Sequence, residues 1–319
     1  MLATIPRSGT WFLRYAIAFL CHLERGGRVR DRLTRHIVGT PSGPDFDFKR
    51  FKGGPLFFVG GTFPADHLFI GHTVCPGFSA PDVQGWTTLT FHVPGYDYFH
   101  EGMNYRYTPV DLAPYDYIPV RVKALERAAG HGRGGRITLV YRNPVSQAAS
   151  YFHYCLRHKD PDYGLLKGRR LGGVSLQDFL FEGGLASYAK MFLSFQAMAS
   201  KHPALVCLTP YEHLMADPVN VLADILDHLS EQRGKWRWLP QAVSLARLEH
   251  LKTIELEIGR SLDGTRKGRG SHMRQGSSTW SEPVTNSKLH RDTIASLRQM
   301  GVNTDLFEWP TLAEPAAVA

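Results

Sequence analysis

The first dozen residues write out a strand, a loop and a helix in immediate succession, and no other stretch constrains the fold as much. Ala3, Thr4 and Ile5 form a short apolar strand, Pro6-Arg7-Ser8-Gly9-Thr10 a tight loop, and Trp11 to Leu23 a helix with apolar residues at helical spacing. A helix that starts on a glycine-containing loop presents unpaired backbone N–H groups and the positive end of its dipole, which makes it a seat for an anion. Arg7 adds a full charge at that seat. The loop is not the nucleoside-triphosphate version GxxxxGK[ST], because no Lys precedes Ser8 or Thr10. The plainer alternative is an ordinary capped helix whose first turn is satisfied by Ser8 or Thr10.

A second segment bears on that choice. Arg136 to Tyr141 has the composition of a buried strand and runs straight into Arg142-Asn143-Pro144, after which a helical stretch extends through Tyr154. Arg142 ends the strand and Ser150 falls about two helical turns later, a spacing that brings both side chains to one anionic group. The alternative is a surface Arg and a helical Ser bonded to its own backbone.

Together these segments resemble the cytosolic-type sulfotransferases, which use 3'-phosphoadenosine 5'-phosphosulfate (PAPS) as donor. That family's phosphosulfate loop, P-K-S-G-T-x-W after the first strand, is similar to Pro6-Arg7-Ser8-Gly9-Thr10-Trp11-Phe12. Its 3'-phosphate motif, a strand ending in R-[ND]-P with a later Ser and aromatics, is matched by Arg142, Asn143, Pro144, Ser150, Tyr151 and Phe152. Tyr211-Glu212-His213-Leu214 with Asp217-Pro218, after the apolar run Ala204 to Leu208, resembles Y-E-D-[LM]-x-x-D-P, whose Tyr lies beside the adenine. The fourth family motif, R-K-G-x-x-G-D-W-x-N-x-F-T, has two registers here. Arg266-Lys267-Gly268 is literal but lacks the Trp, whereas Arg274 and Gly276 are followed by Trp280 and Thr285 at the family's Trp-to-Thr spacing. Arg274 and Gly276 are therefore the preferred phosphate clamp, within a lid over the donor spanning residues 260–285.

The resemblance implies a single α/β domain over residues 1–319, a P-loop NTPase-like three-layer fold with a central parallel sheet flanked by helices. Strands are expected near residues 2–6, 68–72, 136–141 and 204–208. It also implies roles. Ser8, Gly9 and Thr10 hold the 5'-phosphosulfate, Arg142, Ser150 and Arg274 the 3'-phosphate, and Tyr211 with Trp11 or Phe12 frames the adenine. Arg7 stands where the family usually carries Lys, and balances the charge of the leaving phosphate without donating a proton. The family's base is a His at a strand end before the R-[ND]-P strand. His72, ahead of Val74-Cys75-Pro76, and His92, ahead of Val93-Pro94, both qualify, with His72 narrowly preferred for its distance from the first loop. No metal is expected to take part. Neither the other histidines, among them His36, His131 and His290 on polar stretches, nor the cysteines form a ligand set.

The main departure from the family is a tract rich in Tyr and Pro, read as an acceptor-side insertion over residues 93–119. Tyr96, Tyr98, His100, Glu101 and Tyr105 are the acceptor-binding candidates, because aromatic faces with hydroxyl tips suit sugars or polyketide rings. Packing remains the alternative for each of these tyrosines taken singly.

Composition agrees with an enzyme of this kind. The 319 residues, 43% of them hydrophobic, suffice for one large core, and no linker or repeat divides them. A formal net charge of +8 suits a polyanionic donor. Nucleic acid is the rival partner for such a charge, but the Lys and Arg are dispersed and no zinc-ligand spacing appears. The four cysteines, Cys21, Cys75, Cys155 and Cys207, are far apart, and Arg14 interrupts the apolar run of residues 11–23. The expected setting is cytoplasmic, with a small-molecule or carbohydrate acceptor, no stable membrane insertion, and a homodimer as the expected assembly, if any. Two other functions compete: a non-catalytic nucleotide- or glycan-binding module, and a divergent P-loop kinase, which would need the Walker Lys that is missing here.

Overall fold

Side-chain alternation along two short strands organises the molecule into three layers. The structure, a computed structural model, describes residues 2–5, 7–24, 56–58, 67–71, 136–158, 173–230, 236–258 and 286–310. Five strands, β1 (Leu2–Thr4), β2 (Leu56–Phe58), β3 (His67–Gly71), β4 (Ile137–Tyr141) and β5 (Val206–Pro210), form one sheet of order β2-β3-β1-β4-β5. β1 pairs in parallel with β3 and β4, Ala3 standing opposite Gly71 on one side and Leu139 on the other. β4 also pairs in parallel with β5.

Leu2 and Val140 point into one apolar cluster, while Ala3, Leu139 and Tyr141 point into the other, as a period of two requires. The Leu2 side is covered by α1 (Thr10–Glu24), α6 (Pro218–Ser230), α7 (Leu239–Leu245) and α8 (Leu248–Ile258), joined through Leu214 by the short α5 (Tyr211–Ala216). The Ala3 side is covered by α2 (Pro144–His158), α3 (Leu176–Phe179), α4 (Leu185–Lys201) and α9 (Ser287–Gln299). A π-helical turn over Leu180–Gly184 links α3 to α4. This is the three-layer α/β fold expected from the sequence.

The strand order places a crevice. Helix α1 leaves β1 toward one face and α2 leaves β4 toward the other, so the carboxyl ends of these neighbouring strands open between two diverging connections. Ligands of open α/β sheets bind at such switch points.

The parallel pairing of β3, β1, β4 and β5 agrees with the expected central parallel sheet, and β2, which was not among the expected strands, adds an antiparallel edge beside β3. One strand position needs correction. The strand expected at 204–208 lies two residues later, because residues 203–205 turn and the N–H groups of Leu205 and Val206 both donate to the His202 carbonyl, at 2.9 and 3.0 Å. Pairing with β4 therefore starts only at Val206, opposite Ile137. His290, which lies on a polar stretch of the sequence, is fully buried on the inner face of α9, a burial the sequence reading did not address, with the Trp309 ring edge-on at 5.8 Å.

Candidate functional site

The loop after β1 is fixed from both ends. Ile5 N–H continues the pairing to Val140 O at 3.0 Å, Ser8 N–H donates back to Ile5 O at 3.1 Å, and Thr4 Oγ1 meets Thr10 Oγ1 at 2.7 Å. The helix starts at Thr10, one residue before the expected Trp11. Within this loop two residues take positive φ, Gly9 at 82° and Arg7 at 70°. For Arg7 that conformation costs on the order of 1–2 kcal/mol, as for any residue with a Cβ. Gly9 is required for a second reason: a Cβ there would lie 3.0 Å from Cε2 of Tyr211.

Arg142-Asn143-Pro144 has a direct physical meaning at the end of β4. Asn143 is the N-cap of α2, its Oδ1 accepting from Val145 N–H at 3.0 Å and Ser146 N–H at 3.2 Å, and Pro144 takes the first helical position, where no N–H is needed. Neither α1 nor α2 has an acidic residue in its first turn, so no carboxylate of their own offsets the positive ends of these helices.

Four of the sequence-assigned donor residues meet here. Arg142 Nη1 donates to the Arg7 carbonyl at 3.4 Å, and the Arg142 guanidinium lies over the Tyr211 ring, 4.9 Å from its centroid. Arg7 Nε donates to Ser150 Oγ at 3.3 Å, so the Ser hydroxyl faces the loop and not its own helix. Arg7, assigned to the leaving group, and Ser150, assigned to the 3'-phosphate, thus share one patch. Trp11, Phe12 and Tyr211 each rest against the same core, and Trp11 stacks on Tyr15 at 5.8 Å.

The electrostatics favour an anion. Burial lowers the pKa of the Arg142 guanidinium from its ordinary value; Tyr211 and Glu212 work in the opposite direction, and the nearby Arg7 lowers it further. An Arg nonetheless keeps its charge in a protein. Among the described residues no carboxylate stands within ion-pair distance of Arg142, and Glu212, which raises its pKa from farther off, is engaged by the Asn143 N–H. The fully buried Ser8 Oγ finds no hydrogen-bond partner among the described residues. A buried hydroxyl of that kind is costly unless a ligand completes it.

Other assignments fall elsewhere. His72, His92, Arg274, Gly276 and the acceptor-side residues Tyr96, Tyr98, His100, Glu101 and Tyr105 lie outside the described residues. Among the described residues no group of His, Cys, Asp and Glu is arranged to hold a metal ion, and no helix is long and apolar enough to cross a membrane. Burial raises the thiol pKa of the half-buried Cys207, whose sulfur stands 3.9 Å from Thr209 Oγ1.

The sequence reading missed the framework behind Arg142. Tyr188 on α4 donates its hydroxyl to the Arg142 carbonyl at 2.6 Å, and Glu212 accepts the Asn143 N–H at 2.9 Å. Asn143 Nδ2 also donates to Glu308 O at 2.8 Å. The one signal for the last contact was an aromatic pair, Phe307 and Trp309, in a stretch without helical or strand period.

No protein-family model matches the chain, and no curated protein matches it. Among solved structures the chain is similar to a retinol dehydratase in complex with androsterone and the inactive cofactor PAP, with 13% identity, 97% of this chain and 82% of that chain covered, and a TM-score of 0.45.

Proposed function

We propose that the chain is a sulfotransferase that moves a sulfuryl group from PAPS to a hydroxyl or amine of a small-molecule or carbohydrate acceptor. One observation carries the reading: three sequence motifs separated along the chain, at Arg7 to Thr10, Arg142 to Ser150 and Tyr211, make contact with one another at the carboxyl ends of β1 and β4. Their residue types fit the donor. The loop and the α1 N-terminus offer N–H groups and the unpartnered Ser8 hydroxyl to the 5'-phosphosulfate, Arg142 and Ser150 take the 3'-phosphate, and Tyr211 with Trp11 or Phe12 presents apolar rings to the adenine.

Sulfuryl transfer, like phosphoryl transfer, depends more on in-line placement and charge stabilisation than on covalent participation by the protein. When bound, PAPS supplies the activated sulfur. This chain's part is to hold the donor's two anionic ends, to set Arg7 against charge developing on the leaving phosphate, and to accept the acceptor's proton on His72 or, as the second choice, His92. In the chain, His72 comes directly after Gly71, the last residue of β3, which is opposite Ala3 in the sheet.

Incubation with labelled PAPS and a panel of phenolic, steroidal and carbohydrate acceptors tests the reading. Transfer of label, insensitive to EDTA, is expected. A chain that binds 3'-phosphoadenosine 5'-phosphate (PAP) yet transfers nothing would be the non-catalytic module, and one that consumed ATP with magnesium would be the kinase.

A further inference from the structure

The main chain around Arg142 is held from several directions by elements distant in sequence. On one side of Arg142, Tyr141 donates its hydroxyl to Leu306 O at 2.5 Å; on the other, Asn143 donates through Nδ2 to Glu308 O at 2.8 Å and through its N–H to Glu212 at 2.9 Å. The Arg142 carbonyl itself accepts from Tyr188 at 2.6 Å. Between these bonds sits the Phe307 ring, 5.4 Å from the Tyr141 ring, 6.0 Å from Tyr188 and 4.8 Å from Phe192. The segment is anchored outside the cluster as well, through Glu308 to His213 at 2.7 Å and Arg298 Nε to Thr304 Oγ1 at 2.9 Å, and braced within itself by Trp309 Nε1 to Thr304 O at 2.8 Å.

A buried tyrosine hydroxyl needs a partner, but nothing in that need selects the carbonyl of the one cationic residue at the strand end. Both tyrosines donate to main-chain carbonyls, one at Arg142 itself and one in the segment that also binds Asn143. Fixing the backbone of a charged side chain limits the arc through which its guanidinium swings, and a charge held in place loses less freedom when an anion arrives.

We propose that Tyr188 and the C-terminal segment Thr304–Trp309 are positioning elements for Arg142, holding its main chain so that the guanidinium meets the donor's 3'-phosphate already oriented. The inference rests on the reading of Arg142 as a 3'-phosphate ligand, and its test separates the two. PAP and adenosine 5'-monophosphate differ by the 3'-phosphate alone, so the ratio of their affinities isolates what Arg142 contributes. In the wild-type chain, calorimetry should show PAP bound at least about tenfold more tightly. In Tyr188→Phe the ratio should fall by about three- to tenfold while the affinity for the monophosphate holds, which one lost hydrogen bond can account for. Tyr141→Phe, acting from the C-terminal segment, should lower the ratio in the same direction and serves if Tyr188→Phe fails to fold. An unchanged ratio, including the case in which both affinities drop together, means these tyrosines only stabilise the fold and overturns the positioning role. A wild-type ratio near one removes Arg142 from the 3'-phosphate, and this inference with it.

Discussion

The guanidinium of Arg142 lies over the ring of Tyr211, 4.9 Å from its centroid, and the same ring stands against Gly9. One aromatic side chain at the start of α5 thereby touches both the end of β4 and the loop that follows β1. A cation over an aromatic face gains about 0.5–2 kcal/mol, depending on how far it is desolvated. Tyr211→Phe keeps that face, so PAP affinity should hold within about twofold; Tyr211→Leu removes it and should weaken PAP by roughly three- to thirtyfold. Equal effects of the two variants would assign the role to the hydroxyl.

Arg142→Ala removes the charge-assisted bonds proposed for the 3'-phosphate. The expected loss is about 1.5–3 kcal/mol, a ten- to hundredfold rise in the Kd for PAP measured by calorimetry. An unaltered Kd in a well-folded variant refutes the assignment.

Gly9→Ala places a Cβ on a residue at φ 82° and 3.0 Å from the Tyr211 ring. The backbone term alone is on the order of 1–2 kcal/mol, and the ring must also retreat. The melting temperature should fall by a few degrees. PAP-induced thermal stabilisation should shrink by more, because the displaced ring belongs to the proposed site. A variant that melts lower yet gains as much from PAP as the wild type would clear Gly9 of any part in binding.

His228 provides a pH test independent of activity. Its Nε2 stands 3.2 Å from Ile137 O and 3.3 Å from Leu205 O, and burial lowers its pKa, with Arg136 pushing the same way and the two carbonyls opposing. A histidine depressed on folding binds its proton more readily in the unfolded chain. Its contribution to stability is therefore complete above the unfolded value of about 6.5 and is lost as pH falls through the lower folded value. Melting temperatures should decline as pH falls from above 6.5, and His228→Gln, which keeps a donor for one carbonyl, should flatten that part of the profile. Superimposable profiles would mean that other groups set the acid limit.

The proton-accepting histidine is tested by turnover. His72→Ala should lower turnover by roughly 10²- to 10⁴-fold with PAP binding retained, and wild-type activity should rise with pH through about 6.5. If His92→Ala gives the large effect instead, the order of the two candidates reverses.

What was legible in the sequence is what local chemistry dictates. β1, the loop and α1 declare themselves through a change of period around a glycine, and Arg142-Asn143-Pro144 through a strand end, an N-cap and a first-turn proline. β5 was displaced because Ala204-Leu205 is as apolar as a strand, yet its backbone is drawn into a turn by the His202 carbonyl. The burial of His290 was not legible because its helix is mostly polar: only Leu289, Thr293 and Leu297 share its buried side. The hydroxyls of Tyr141 and Tyr188 gave no signal, since their partners are main-chain atoms 165 and 46 residues away, and neither periodicity nor composition encodes such a pairing.

The opposed faces of β1 and β4 have a mechanical consequence. Helix α1 belongs to one core, and Arg142 leads through α2 into the other, so an occupant held at both strand ends would act as a clasp across the sheet rim. Opening either core at that rim would then release it. At a ligand concentration of 100 times Kd the clasp adds about 2.7 kcal/mol to any opening that lets it go. Amides of α1 and α2 should therefore exchange with solvent at separate rates in the empty protein and slow down together in the loaded one, two halves made to breathe as one.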